Sequence, residues 1–107
     1  MMYELNPIYS SRKSFYGKAK IMTGQDDFGA AVYTLVSYGT PVLAIRKMDG
    51  NYYVIRLWDS WSATTGRHVN EFALQILGRS LFKKEWDAMR RGYTYKMTSD
   101  RRGFIDI

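Results

Sequence analysis

Apolar positions along this chain recur with a period near two before residue 60 and near 3.6 after it, so strands are expected first and helices second. The run "AVYTLVSY" (31–38) is β-branched and aromatic, the composition of a strand half buried on a pleated surface, and Gly39 breaks it. "PVLAIRKM" (41–48) and "YYVIRLW" (52–58) are two further strand-type runs separated by "DGN". Asp-Gly between apolar runs is the strongest short-range hairpin signal, so 41–58 is predicted to be a β-hairpin. Within its first strand Val42 and Ala44 alternate with Leu43 and Ile45. The two sets cannot point the same way, so one face of the strand meets the core and the other a helix or a partner. Upstream, "KAKIM" (18–22) alternates weakly and "TGQDDFGA" (23–30) reads as a turn. Residues 1–18, with Pro7 and "YSSRKSFYG" (9–17), have no clear period and read as an irregular lead-in with room for one short strand.

The period changes at "SATTGRHVNEF" (62–72). Val69, Phe72, Ala73, Ile76 and Leu77 stand at i, i+3, i+4, i+7 and i+8, one apolar stripe on an α-helix. Thr65 or Thr64 is the expected N-cap, since a hydroxyl accepts from first-turn N–H groups, and Gly78 suits the left-handed residue that ends the helix. A second helix is expected with Ser80 as cap, Phe82, Trp86 and Met89 as its stripe and Gly92 as its stop. "YTYKM" (93–97) reads as an edge strand, and 98–107 as a tail without fixed order. These elements predict a single α+β domain over 1–107, a small antiparallel sheet with a central β-hairpin packed against one or two C-terminal helices.

Composition supports a packed core: 107 residues, 46% hydrophobic and 16% aromatic, lie far from the profile of a disordered chain. The absence of cysteine excludes disulfides and thiolate metal sites. No stretch approaches the roughly 18 apolar residues of a membrane span, and Met1–Ser10 lacks the basic-then-apolar order of a secretory signal. A cytoplasmic protein with no membrane partner is expected. Sixteen Lys and Arg against ten Asp and Glu give a net charge of +6, which favours an acidic partner, either nucleic acid or an acidic protein groove.

Chemistry concentrates in two places. In the first, His68 stands near the hydroxyls of Ser62, Thr64 and Thr65, with Glu71 three residues on as a potential orienting carboxylate. The hydroxyls precede or open the helix and are engaged by capping, so catalysis is not expected there, and one histidine with scattered carboxylates makes no metal site. No cofactor is expected. An anion site is better grounded: a helix N-terminus offers unpaired N–H groups, Gly66 permits close approach, and Thr64, Thr65, Arg67 and His68 add donors. The competing account is a plain helix start with Arg67 in solvent. The second place is a basic, aromatic C-terminal face. Arg79, Lys83, Lys84, Arg90, Arg91, Lys96, Arg101 and Arg102 sit among Tyr93, Tyr95 and Phe104, a mixture suited to nucleic acid, to a protein interface, or simply to a solvated helix face. Tyr52, Tyr53, Trp58 and Trp61 belong either to the core or to an interface.

The ordered set "KSFYGKA" (13–19), "SYGTPVLAI" (37–45) and "SATTGRHVNEF" (62–72) resembles a family of small proteins of Firmicutes phages and prophages. That family carries a Ser-Tyr-x-Thr-x-Val-Ala strand followed by a Tyr-Ser-x-Thr-Thr-x-Arg-His-x-x-Glu-Phe helix start. The likeness spans roughly residues 8–77; Trp61 replaces the family's Tyr, and Leu43 interrupts Val-Ala. The resemblance implies no activity, but it implies a setting in which small proteins without catalytic motifs bind and block host machinery. The expected function is therefore a non-enzymatic phage-type protein that inhibits a host factor in the bacterial cytoplasm, most concretely a CRISPR nuclease or another nucleic-acid-dependent defence effector. The alternatives are direct DNA or RNA binding, and a nucleotide-binding, signal-sequestering protein using the helix start at Thr65.

Overall fold

The computed structural model describes residues 1–107. Seven strands form one antiparallel sheet in chain order: β1 (Met2–Glu4), β2 (Ala19–Gln25), β3 (Ala31–Ser37), β4 (Thr40–Met48), β5 (Asn51–Arg56), β6 (Thr94–Met97) and β7 (Phe104–Asp106). Helices α1 (Ala63–Leu77) and α2 (Lys83–Ala88) lie between β5 and β6 in the chain, and α1 packs on β3 and β4. The α+β architecture is as the periodicity predicts, and the sheet stays open, because β1 pairs only with β2 and β7 only with β6.

The central hairpin forms at Asp49-Gly50, whose φ values of +53° and +77° match the positive pair a two-residue type I′ turn requires. Its first strand is bulged. Leu35 faces Leu43 while Val36 faces Pro41, which leaves Val42 as an extra residue. The bulge lets Val42 join Leu43 and Ile45 in the core, where strict alternation would send it to the opposite face with Ala44. Leu35, Leu43, Ile45 and Val54 meet Val69, Phe72, Ala73 and Leu77 of α1, and Trp86 of α2 closes the far end. Of the four aromatics left open by the sequence, Tyr52, Trp58 and Trp61 pack against this core. Tyr53 lies on the opposite sheet face, between Arg46 and Lys96.

Both helices start and stop elsewhere than the sequence suggests. The N-cap of α1 is Ser62, whose Oγ accepts from the Thr65 N–H at 3.0 Å, so Thr64 and Thr65 lie inside the helix. Gly78 ends it as expected, at φ +78°. Helix α2 is capped at Phe82, whose N–H donates to Glu85 Oε1 at 3.1 Å, while the Ser80 hydroxyl turns to Asn70. Phe82 is exposed and Leu81 is buried in its place. Gly92 is not the stop, since α2 ends at Ala88. There Arg56 donates to the carbonyls of Trp86 and Met89, each at 3.0 Å, and to those of Trp58 and Asp59, so carbonyls that would continue the helix are already satisfied.

The two chain ends are more ordered than expected. Strand β6 is interior to the sheet rather than an edge, and the tail folds back as β7. Arg101 fixes this return by donating to the Leu77 carbonyl at the end of α1, and its own carbonyl accepts from Arg79. At the other end, Leu5 and Phe15 are buried core residues. The buried Glu71 carboxylate accepts from the N–H groups of Tyr9 and Ser10, at 3.0 and 2.8 Å, and from Gln75. The irregular lead-in is thus clamped to α1.

Candidate functional site

Three segments converge on one pocket of about 330 Å³. The lead-in supplies Arg12, Ser14, Phe15, Tyr16 and Lys18, the β3–β4 turn supplies Tyr38, and the first turns of α1 supply Thr64, Arg67 and His68. Three cations line it and no carboxylate does. Glu71, the nearest acid in sequence, is drawn away to the lead-in backbone, so the Ser-His-Glu constellation considered from the sequence does not assemble.

His68 is the pivot of the site. It is 2% exposed, with Phe15 edge-on at 4.7 Å and Tyr38 stacked at 5.8 Å between ring centroids. Its Nδ1 lies 2.7 Å from the Ser37 hydroxyl, and Ser37 Oγ lies 3.4 Å from Thr65 Oγ1. A chain in which Thr65 donates to Ser37, and Ser37 to Nδ1, places the ring proton on Nε2. No protein group bonds Nε2, which leaves it as the one polar atom His68 presents to the pocket it lines. Burial, with the neighbouring Arg67 charge, holds His68 below the usual imidazole range, so the ring is neutral at pH 7. Burial alone would raise the Glu71 carboxyl; hydrogen bonds from Gln75 and the lead-in backbone outweigh it and hold Glu71 below the usual range.

Of the five residues singled out at the helix start, Thr64, Arg67 and His68 face the pocket and two do not. Thr65 is buried against Ser37. Gly66 is required for a different reason than an anion: a Cβ there would lie 2.7 Å from the Trp61 ring, so the missing side chain makes room for tryptophan. The N–H groups of Ala63 and Thr64 remain as the open end of the helix, ahead of those of Thr65 and Gly66, which Ser62 accepts.

Arg12, Ser14, Phe15, Tyr16, Lys18, Ser37 and Tyr38 were not anticipated. The signal for them is a repeated Tyr-Gly. Tyr16-Gly17 and Tyr38-Gly39 both adopt the positive-φ pair seen at Asp49-Gly50, with φ +52° and +51° at the tyrosines. Asn, Asp or Gly is the ordinary occupant of that first position, and a bulky residue there stores strain of about 1 kcal/mol or more. Both tyrosines remain exposed, at 79% and 57%, so neither is repaid by burial.

The C-terminal face is not one continuous basic surface. Lys83 pairs with Asp87, Arg91 with Asp59 at 3.1 Å, Arg79 with Glu85, and Arg101 with the end of α1. Tyr95 is buried, its hydroxyl accepting from the Arg90 N–H at 2.8 Å, and Lys96 lies on the opposite sheet face beside Tyr53. Exposed Lys84, Arg90 and Arg102 remain, with Tyr93 under the Arg90 guanidinium at 4.4 Å. A groove of about 460 Å³ nearby is lined by Arg90 but also by Glu85 and Asp106.

No three His, Asp or Glu side chains group as a metal site, and no helix is long and apolar enough to cross a membrane. No curated protein and no solved structure matches the chain. A family model described only as a family of unknown function (DUF8033) matches residues 3–88, a span that includes every residue of the cationic pocket and stops before Arg90. The chain belongs to that family of unknown function.

Proposed function

We propose that this is a non-enzymatic binding protein that holds a small phosphorylated ligand in the pocket between the lead-in and α1. The observation that carries the reading is a cavity with Arg12, Lys18 and Arg67 on its walls, no carboxylate, and a buried neutral His68 whose Nε2 has no protein partner. Anions favour such a site, because the cations, the open N–H groups at the start of α1 and the helix dipole act in the same direction. In a phage-type setting the role would be sequestration, in the host cytoplasm, of a phosphorylated molecule on which a host defence depends. Thermal melts with inorganic phosphate and ribose 5-phosphate provide the test. Stabilisation that grows with ligand concentration and disappears in Arg67→Ala supports the reading. Melting temperatures indifferent to both ligands refute it.

A second reading rests on exposed Lys84, Arg90, Tyr93 and Arg102 around α2 and β7. It makes the protein an inhibitor that occupies a host nucleoprotein, with a CRISPR nuclease as the concrete instance, or a direct nucleic-acid binder. An affinity pull-down from bacterial lysate, with and without nuclease, separates them. A protein retained after nuclease supports inhibition, nucleic acid alone supports direct binding, and an empty column removes both.

A further inference from the structure

Resting on the phosphate reading of the pocket, we infer that its ligand is a mononucleotide, with the base stacked on Tyr38 and flanked by Tyr16. Tyr38 already stacks on the His68 ring, tilted 30° between planes, with 57% of its surface open. Imidazole covers one side of the ring, and the part of Tyr38 that stays open offers surface to extend the stack by one more planar ring. Tyr16 lines the same cavity from the lead-in.

The backbone gives the second argument. Each tyrosine occupies the first central position of a positive-φ turn followed by glycine, where the chain's third such turn, Asp49-Gly50, uses aspartate. Burial repays little of the strain, since Tyr16 is 79% exposed and Tyr38, which covers one side of the His68 ring, is 57% exposed. A strained conformation holding an exposed ring over a cationic cavity makes sense as a device for presenting that ring to a ligand. Size agrees: about 330 Å³ suits one nucleotide rather than an oligonucleotide. The same pocket provides cations for the phosphate and flat rings for the base, and a sugar phosphate would use only the first.

The test is a comparison of dissociation constants for the four ribonucleoside 5′-monophosphates, ribose 5-phosphate and inorganic phosphate, on the wild-type chain and on Tyr38→Asn and Tyr16→Asn. Asparagine is well suited to a positive-φ turn position, so these variants should melt at or above the wild-type temperature. The expected result is at least one nucleotide binding ten-fold or more tighter than ribose 5-phosphate. Tyr38→Asn should erase that advantage, read as the ratio of nucleotide to ribose 5-phosphate affinity, and Tyr38→Phe should retain it. Equal binding of nucleotides and ribose 5-phosphate overturns the base-stacking inference and leaves the phosphate reading intact. Failure of every phosphorylated probe overturns both. A Tyr38→Asn variant that loses stability and keeps its nucleotide preference assigns the ring a structural role and overturns the inference.

Discussion

Gly66 and Trp61 form a pair in which each explains the other. An alanine at 66 gains up to about 1 kcal/mol of helix propensity but must push against a rigid indole, and overpacking typically costs about 1–3 kcal/mol. Gly66→Ala is expected to lose about 1–2 kcal/mol in urea denaturation, and adding Trp61→Phe should recover part of that loss. Additive effects in the double variant would show that the contact is not the cause. His68 and Glu71 set the response to acid. Both titrate below their usual values when folded, so the unfolded chain binds more protons and stability rises with pH through each window. The His68 contribution is complete above the ordinary imidazole value of about 6.5 and drains as pH falls below it, with burial first and then the Arg67 charge opposing protonation. The Glu71 contribution is complete above about 4.3 and drains toward its lowered folded value. Melting temperature should thus fall in two stages on acidification, and His68→Gln should remove the upper stage alone; a flat profile between pH 7 and 5 would contradict this. The sequence offered His68 as an anion-site candidate and Glu71 as a carboxylate that could orient it, a pairing that does not form. Their actual partners were not legible, because Ser37 and the 8–10 segment lie 31 and about 60 residues away in the chain.

At the C-terminal end of each helix, an arginine from elsewhere in the chain satisfies backbone carbonyls. The guanidinium of Arg56 serves four carbonyls around the end of α2, and that of Arg101 serves the end of α1. A lysine presents its charge from one point and lacks the planar fork, so Arg56→Lys should destabilise by about 2 kcal/mol. A shift in chemical denaturation midpoint below a tenth of that size would mean that water replaces the fork without loss. This is also why α2 was read too long. The apolar spacing of Trp86 and Met89 continues past Ala88, and nothing local announces an arginine from β5 at that point. By contrast, α1, β3 and the β4–β5 hairpin were legible because their determinants are local: a stripe of five apolar residues with a closing glycine, a β-branched run, and an Asp-Gly turn. The bulge at Val42 marks the limit of alternation as a guide, since it changes the period from within the strand.

The family match ends at Ala88, yet the sheet does not. Strand β6 brings Tyr95 and Met97 to the core and covers the edge of β5, and β7 covers β6 in turn. A chain cut after Gly92 is expected to lose its cooperative thermal transition and aggregate through the bared β5 edge. A soluble, cooperatively melting fragment would instead make the last two strands an accessory. Fold class could be inferred from the order of strand and helix patterns, whereas only the helix-start wall of the pocket, Thr64, Arg67 and His68, could, because the other walls come from a lead-in without any period and from a turn. Charge pattern pointed also to the C-terminal face, where Arg79, Lys83, Arg91 and Arg101 turn out to be engaged by internal partners.

The clamp of Glu71 on Tyr9 and Ser10 sets a schedule for synthesis. A ribosome releases the lead-in first, and residues 12–18 must wait for more than fifty further residues before the carboxylate that holds their segment, and the arginine and histidine that face them, have been made. A nascent chain therefore has nothing with which to capture a ligand. Occupancy of the pocket reports a chain made at least as far as Glu71 and folded back on its lead-in, and a ligand present during translation stabilises only such chains.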